Sequence, residues 1–256
     1  MTIHNTAVIS PNAKISKGVK IGPWSVIGDN VKIGKNTEIG SNVVIDGWTS
    51  IGENNKISPG AVIGTAPQDV KYEDARTYVK IGNGNIIREY VTINRATEPE
   101  TETLVGNNNF LMAYTHIAHN CKVGNNVIIV NYTALSGHTV LEDRCVLSGM
   151  VGIHQGARVG RLAIVGGLSK VVKDIPPFAR ADGHPIRIYG LNTIGLTRNN
   201  IPAPVIEKLK KAYKILFRSG MNTSQAIGKI EEEIPLIDEI QYLINFIRTS
   251  DRGICK

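Results

Sequence analysis

Between Ile117 and Gly149 the chain reads IAHNCKVGNNVIIVNYTALSGHTVLEDRCVLSG, and an aliphatic residue recurs at every sixth place: Ile117, Val123, Ile129, Leu135, Leu141, Leu147. Six matches neither the 3.6 of a helix nor the alternation of a simple strand. Four places after each aliphatic stands a small or β-branched residue: Cys121, Val127, Thr133, Thr139, Cys145. That place lies two before the next aliphatic, so both side chains leave one face of a short extended segment. Gly, Asn and Asp fill the places between, as in VGNN, and bend the chain. Each hexad is a short strand followed by a turn.

The period runs from Ile3 to Ile63 as an unbroken series of isoleucines, returns at Ile81, Ile87 and Ile93, and continues from Val105 to Val171. Such units cannot bury an inner face alone, but they can wind into a parallel β-helix, coil on coil. The hexads resemble those of hexapeptide-repeat proteins. That resemblance implies three hexads per 18-residue coil and a left-handed winding, against the usual crossover rule. Two polar stretches interrupt the period, GTAPQDVKYEDARTYVK (64–80) and NRATEPETETL (94–104). They read as loops thrown out near 65–79 and 94–104, either solvated or carrying binding groups.

After Val172 the hexads stop, and DIPPFARADGHP reads as a connection. Val205, Leu209, Tyr213 and Leu216 then share one face of a helix that stops at Gly220. Thr223 is placed to cap a second helix through about Ile234, and residues 236–248 suggest a third. The expected fold is mainly β, a left-handed parallel β-helix over 1–190 with a C-terminal α-helical domain over 191–256.

Aromatic residues are 5% of the 256, against 26 glycines, which suits a repeat better than an ordinary core. No basic-then-apolar leader and no long apolar run occur, so neither a signal peptide nor a membrane span is expected. Cys121, Cys145 and Cys255 form no framework, and a reducing cytoplasm is the simplest reading. The net charge of +7 suits an acidic partner. From Arg198 to Gly220 basic residues outnumber Glu207 by six to one, without the interleaved aromatics of nucleic-acid modules, so no nucleic acid is expected. An acidic protein and plain solvation remain as readings of that face.

Counting coils from Val105 brings His116, His119, His138 and His154 within five positions of each other on three successive turns. They avoid the two inward places of the hexad and should face outward. The stacking sets Gly137 over His119 and His138 over Asn120. A histidine cluster can bind a metal or move protons. HIAHN lacks the HxxxxH arrangement of the zinc sites on related scaffolds, so proton chemistry without a metal or cofactor is preferred. Cys121 occupies an inward place and reads as core.

At this point the chain resembles the UDP-N-acetylglucosamine acyltransferases that begin lipid A synthesis. The residues that carry the resemblance are PQDVKY (67–72), HIAHNC (116–121), LSGH (135–138), HQ (154–155), VGGLSKVVKDIPP (165–177), GLNTIGLTR (190–198) and AYKILFRSG (212–220). The resemblance implies a homotrimer with sites between subunits, which transfers a (R)-3-hydroxyacyl group from acyl carrier protein to the sugar 3-position. His119 would be the general base and the Gly137 N–H an oxyanion donor, with Asn120 orienting the base. His116 and His138 would bind the sugar, and His154, Gln155, Asn192 and Arg198 the nucleotide. Gln68, Asp69 and Lys71 would reach in from the adjoining subunit, and Gly167 would set the length of the acyl pocket. The basic segment Lys208 to Arg218 would meet the carrier protein.

The chain departs from the family at four places. Asn120 stands where an Asp is usual, Gly156 follows HQ in place of Phe, Ile194 replaces a carboxylate and Asn199 a second arginine. Some relatives acylate a 3-amino sugar, and a weaker base beside Asn120 would suit that nucleophile. A transferase for another nucleotide sugar and a non-catalytic binding β-helix are the rivals.

Overall fold

The computed structural model describes residues 2–256, and its parallel strands form three walls. Wall A holds eleven strands, wall B nine and wall C eight. Strands succeed one another from wall to wall in the order A, B, C, as in Lys20–Ile21, Val26–Ile27, Lys32–Ile33. Each residue pairs with the one a full coil away: Lys20 with Glu38, Phe110 with Ile128, His116 with Ala134. The spacing of 18 is the expected three hexads. The structure is a left-handed parallel β-helix of hexapeptide repeats, with short helices after it.

The alternation of burial explains why the hexad works. From Ile21 to Val171 the aliphatic at the end of each hexad strand is buried, as are Ile57, Ile87, Leu111, Ile129 and Leu147, while the residue before it faces out. At the other inward place three asparagines, Asn55, Asn85 and Asn109, are buried among small and β-branched residues. Asn85 N donates to Asn55 Oδ1 and Asn109 N to Asn85 Oδ1, at 2.8 and 2.9 Å, so the ladder satisfies itself. Corners repeatedly take positive φ, at Asn120 (57°) and His138 (60°) among others. Asn tolerates that region through its short polar side chain, whereas His138 is held there by its neighbours.

The register places both excursions. Pairing jumps from Ile57 to Ile87 and from Ile87 to Leu111, then returns to steps of 18. The extra residues lie within the connections 64–77 and 94–101, and both leave at the corner between walls B and C on adjacent coils.

The hairpin Ala179–Asp182 and Arg187–Leu191 continues wall A, its first strand parallel to Ile164–Val165 and its second antiparallel to the first. Four helices come after it: α1 (Thr193–Arg198), α2 (Ala203–Arg218), α3 (Thr223–Glu233) and α4 (Asp238–Arg248). α1 was not anticipated from the sequence. α2 buries Ile206, Leu209, Ala212, Tyr213 and Leu216, so its inner face is centred beside Val205 and not on it. The cap of α3 is Asn222 and not Thr223, because Asn222 and Gln225 close a reciprocal capping box. The tail is pinned to the prism by Glu142, which takes the Tyr242 hydroxyl at 2.6 Å and Arg158 at 3.3 Å.

Candidate active site

The corner between walls B and C carries the histidines. His116 lies on its B strand, and His119 and Asn120 turn the next corner, one coil above the second excursion. Gly137 and His138 occupy the coil above that, and His154 and Gln155 the next. The column read from the sequence therefore exists, and the two excursions begin directly beneath it. His119 and His138 meet edge to face with ring centroids 5.3 Å apart.

The His119 side chain is only 11% exposed and is held from several sides. Its Nδ1 lies 2.9 Å from Asn120 Oδ1 and 3.4 Å from Thr97 Oγ1. Its Nε2 lies 3.8 Å from Asp69 Oδ2. Gly137 sits directly over the ring, where any Cβ would collide with Nε2 and Cε1. The φ of Gly137 is not in the left-handed region, so this glycine is required for space and not for backbone freedom. Among the described residues its N–H donates to no group.

His116 Nδ1 lies 2.7 Å from Thr92 Oγ1. Burial, helped by the neighbouring His119, holds its imidazole below the ordinary histidine pKa, which favours a neutral ring. Asn120 is buried, and residues of the second excursion surround it. Thr97 N donates to Asn120 Oδ1 at 3.1 Å, and Asn120 Nδ2 donates to Glu98 Oε2 at 2.7 Å and to Thr101 Oγ1 at 3.1 Å. Glu98 Oε1 in turn lies 3.6 Å from His138 Nε2. Sequence reading missed Thr97, Glu98 and Thr101. Counting fixes their corner, since Ile93 and Ile117 hold the same place on successive coils, but not which of their polar groups turn back onto Asn120.

Asp69 reaches the His119 of its own chain, whereas the resemblance implied that it would come from the adjoining subunit; the reason is that the first excursion leaves at the same corner. Asp69 Oδ1 also accepts from Lys71 N at 2.9 Å, while Lys71 and Gln68 point outward. His154 and Gln155 are exposed above the cluster. Asn192 and Arg198 lie elsewhere. They line a groove of about 680 Å³ on wall A, together with Ile128, Val146 and Ile164. Wall A is opposite the corner between B and C in a triangular section, so one chain does not bring these two residues to the histidines. Asn192 is moreover the cap of α1, accepting from Gly195 N at 3.0 Å and donating to Leu162 O at 2.9 Å. Gly167 lies at the corner between walls A and B, exposed and above Gly149.

Burial pushes the Cys121 thiol up to about 12, and its Sγ faces Ser136 O, as core and not as a nucleophile. Among the described residues no group of three or more His, Cys, Asp or Glu side chains is arranged to hold a metal ion. No helix there is long and apolar enough to cross a membrane.

Known proteins match this arrangement over the whole chain. The family model described as Udp N-acetylglucosamine O-acyltransferase, domain 2, matches residues 174–255, and bacterial transferase hexapeptide repeats match 1–35, 30–65 and 102–137. A protein of Thermodesulfovibrio yellowstonii named acyl-(acyl-carrier-protein) UDP-N-acetylglucosamine O-acyltransferase is 51% identical over 99% of each chain. A protein of the same name from Thiobacillus denitrificans is 43% identical over 100% of this chain and 99% of its own. The crystal structure of the UDP-N-acetylglucosamine acyltransferase of Bacteroides fragilis superposes with a TM-score of 0.97 at 43% identity, covering 99% of both chains. With the hexads, the corner histidines and the helical tail all in place over a full-length match, the chain belongs to the UDP-N-acetylglucosamine O-acyltransferase family.

Proposed function

We propose that the chain transfers a (R)-3-hydroxyacyl group from acyl carrier protein to the 3-position of UDP-N-acetylglucosamine, the first step of lipid A synthesis, with His119 as general base. The observation that carries this reading is the imidazole itself: Nδ1 is engaged by Asn120 while Nε2 faces Asp69 beneath Gly137. In the reaction the sugar 3-hydroxyl attacks the thioester carbonyl and gives its proton to Nε2. The oxyanion accepts from the Gly137 N–H, a contact often worth about 3 kcal/mol. Collapse breaks the carbon–sulfur bond, and the departing thiolate takes the proton from the imidazolium. A thioester is already activated, so a base and an oxyanion donor suffice and no covalent nucleophile is needed.

The remaining groups fit binding roles. Neutral His116 and half-exposed His138 flank the base as sugar ligands, and His154 and Gln155 lie above them for the nucleotide. Asn192 and Arg198 join that site when supplied by a neighbouring copy, which favours a homotrimer with shared sites. Between the histidine corner and Gly167, the outward residues of wall B are Ala134 and Gly152, and a Cβ on Gly152 would meet nothing within 4 Å. This bare strip is a path for the acyl chain. Residues 1–190 carry the chemistry in this reading, and 191–256 offer Lys211, Lys214 and Arg218 on the exposed side of α2 to the acidic carrier protein. The buried free thiols suit a cytoplasmic setting.

The test is mass spectrometry of product from 3-hydroxyacyl carrier proteins and UDP-N-acetylglucosamine, with the 3-amino analogue in parallel because neutral Asn120 favours an amine. An acylated sugar that disappears with His119→Ala supports the reading. Failure to acylate either acceptor overturns it.

A further inference from the structure

The family's usual carboxylate beside the base is absent here, yet the amide that replaces it is tied to a carboxylate one step away. Glu98, Pro99, Glu100 and Thr101 form a tight turn: Thr101 N donates to Glu98 O at 3.1 Å, and Glu100 takes a φ of 60° after the proline. Proline second and positive φ third are the marks of a type II turn. The turn folds Glu98 and Thr101 onto the amide of Asn120. Which end of that amide faces His119 is fixed by its other partners. Thr97 N–H can only donate, so the atom it meets at 3.1 Å is the amide oxygen. A carboxylate can only accept, so the atom 2.7 Å from Glu98 Oε2 is the amide nitrogen. Burial pushes the Glu98 carboxyl up, but hydrogen bonds from its own backbone, from Thr97 and from Asn120, with the attraction of His138, outweigh this and leave it below the ordinary range, hence ionised at neutral pH.

We propose that Glu98 is a positioning residue for the acyl transfer: through Asn120 it orients and polarises the amide so that His119 carries its proton on Nδ1 and offers Nε2 to the substrate. Resting on the reading of His119 as base, it moves the carboxylate of the usual base and acid pair one link outward, onto the second excursion. Asn120 Oδ1 then accepts from Nδ1–H, and the Glu98 anion, which accepts from Nδ2–H, polarises the amide so that Oδ1 is more negative where it faces the imidazolium formed during proton transfer. His138, 3.6 Å from the same carboxylate, is the titratable group facing Glu98, and Asp69 faces the opposite nitrogen of the base.

The test moves the charge back. Glu98→Gln keeps an acceptor for Asn120 but removes the anion, and kcat falls about tenfold with KM unchanged, the difference between a charged and a neutral partner. Asn120→Asp in the wild-type background sets two carboxylates together and is also impaired. In Asn120→Asp with Glu98→Gln the charge sits beside the base again and the amide donates to it, so kcat returns to within about threefold of wild type, a coupling that independent losses would not produce. In parallel, 15N spectra of the histidine side chains, with His119 assigned by its loss in His119→Ala, report an Nδ1–H tautomer in wild type and a tautomer mixture in Glu98→Ala. Thermal unfolding of each variant verifies the fold. A double variant no faster than Glu98→Gln, or a His119 spectrum indifferent to Glu98→Ala, overturns the proposal. If the wild type makes no acylated sugar, the acyltransferase reading fails while the 15N comparison still decides the role of Glu98.

Discussion

His119 shows how much of the chemistry depends on space for a single methyl group. Gly137 has an ordinary φ, and its hydrogen is what lets the imidazole lie under the next coil. Gly137→Ala is expected to displace the ring and lower kcat/KM by at least about 100-fold, since misplaced catalytic groups cost that much; steady-state kinetics beside an unfolding curve separate this from loss of fold. His116 gives a pH signature. Its folded pKa lies below the value of about 6.5 that it has in the unfolded chain, so the unfolded state takes up the proton first. Its stabilising contribution is whole above that pH and is lost as pH falls through the window down to the folded pKa. His116→Asn, which can still bond Thr92 but does not titrate, should narrow the difference in melting temperature between pH 7.5 and 5.5.

At the scale of elements, a rigid stack of coils supports two loops that carry the partners of the base, and the loops are themselves anchored. Arg95, 11% exposed in its side chain, donates to the Tyr72 hydroxyl at 3.1 Å and to Gly64 O at 3.2 Å and lies over the Trp48 and Tyr72 rings. It ties the second excursion to the first. Arg95→Met preserves the apolar stem and removes the bonds, at a cost of about 2 kcal/mol. Faster proteolytic cleavage within 64–77 and a lower kcat, as Asp69 leaves His119, are the expected results. The three longer helices were legible as amphipathic segments, and their C-terminal ends fall within two residues of those read from the sequence, at Arg218, Glu233 and Arg248. The cap of α3 sits one residue early because Asn222 pairs with Gln225, and Asn222→Ala should cost about 1 kcal/mol in chemical denaturation. α1, six residues long, has too few turns to show a period.

For the whole molecule, the decisive fact is that the histidine corner and the Arg198 groove lie on opposite sides of one prism. A nucleotide sugar that touches both must lie between two copies. His119→Ala and Arg198→Ala chains, each impaired alone, should regain about a quarter of wild-type turnover when refolded together at equal amounts and assayed at low nucleotide sugar, because a random interface pairs the two intact halves that often. Recovery absent from co-refolded material, with mixed oligomers verified by native mass spectrometry, would refute the shared site.

The six-residue repeat was determined by the sequence alone, because paired inward residues recurring every six places mark strand after strand with one apolar face; with the three hexads per coil that the resemblance implied, position along the chain converts directly into position on the prism. The same arithmetic stacked Gly137 over His119 and gathered four histidines at one corner. Hydrogen bonding across the excursions was decided only in three dimensions. Polar loops have no period, so nothing local to NRATEPETETL says that Thr97, Glu98 and Thr101 fold back onto Asn120, or that Asp69 meets the base of its own chain. The separation of Asn192 and Arg198 from the histidines was likewise tertiary: the hairpin after Ala179 prolongs wall A, and the residues after it are delivered to that side.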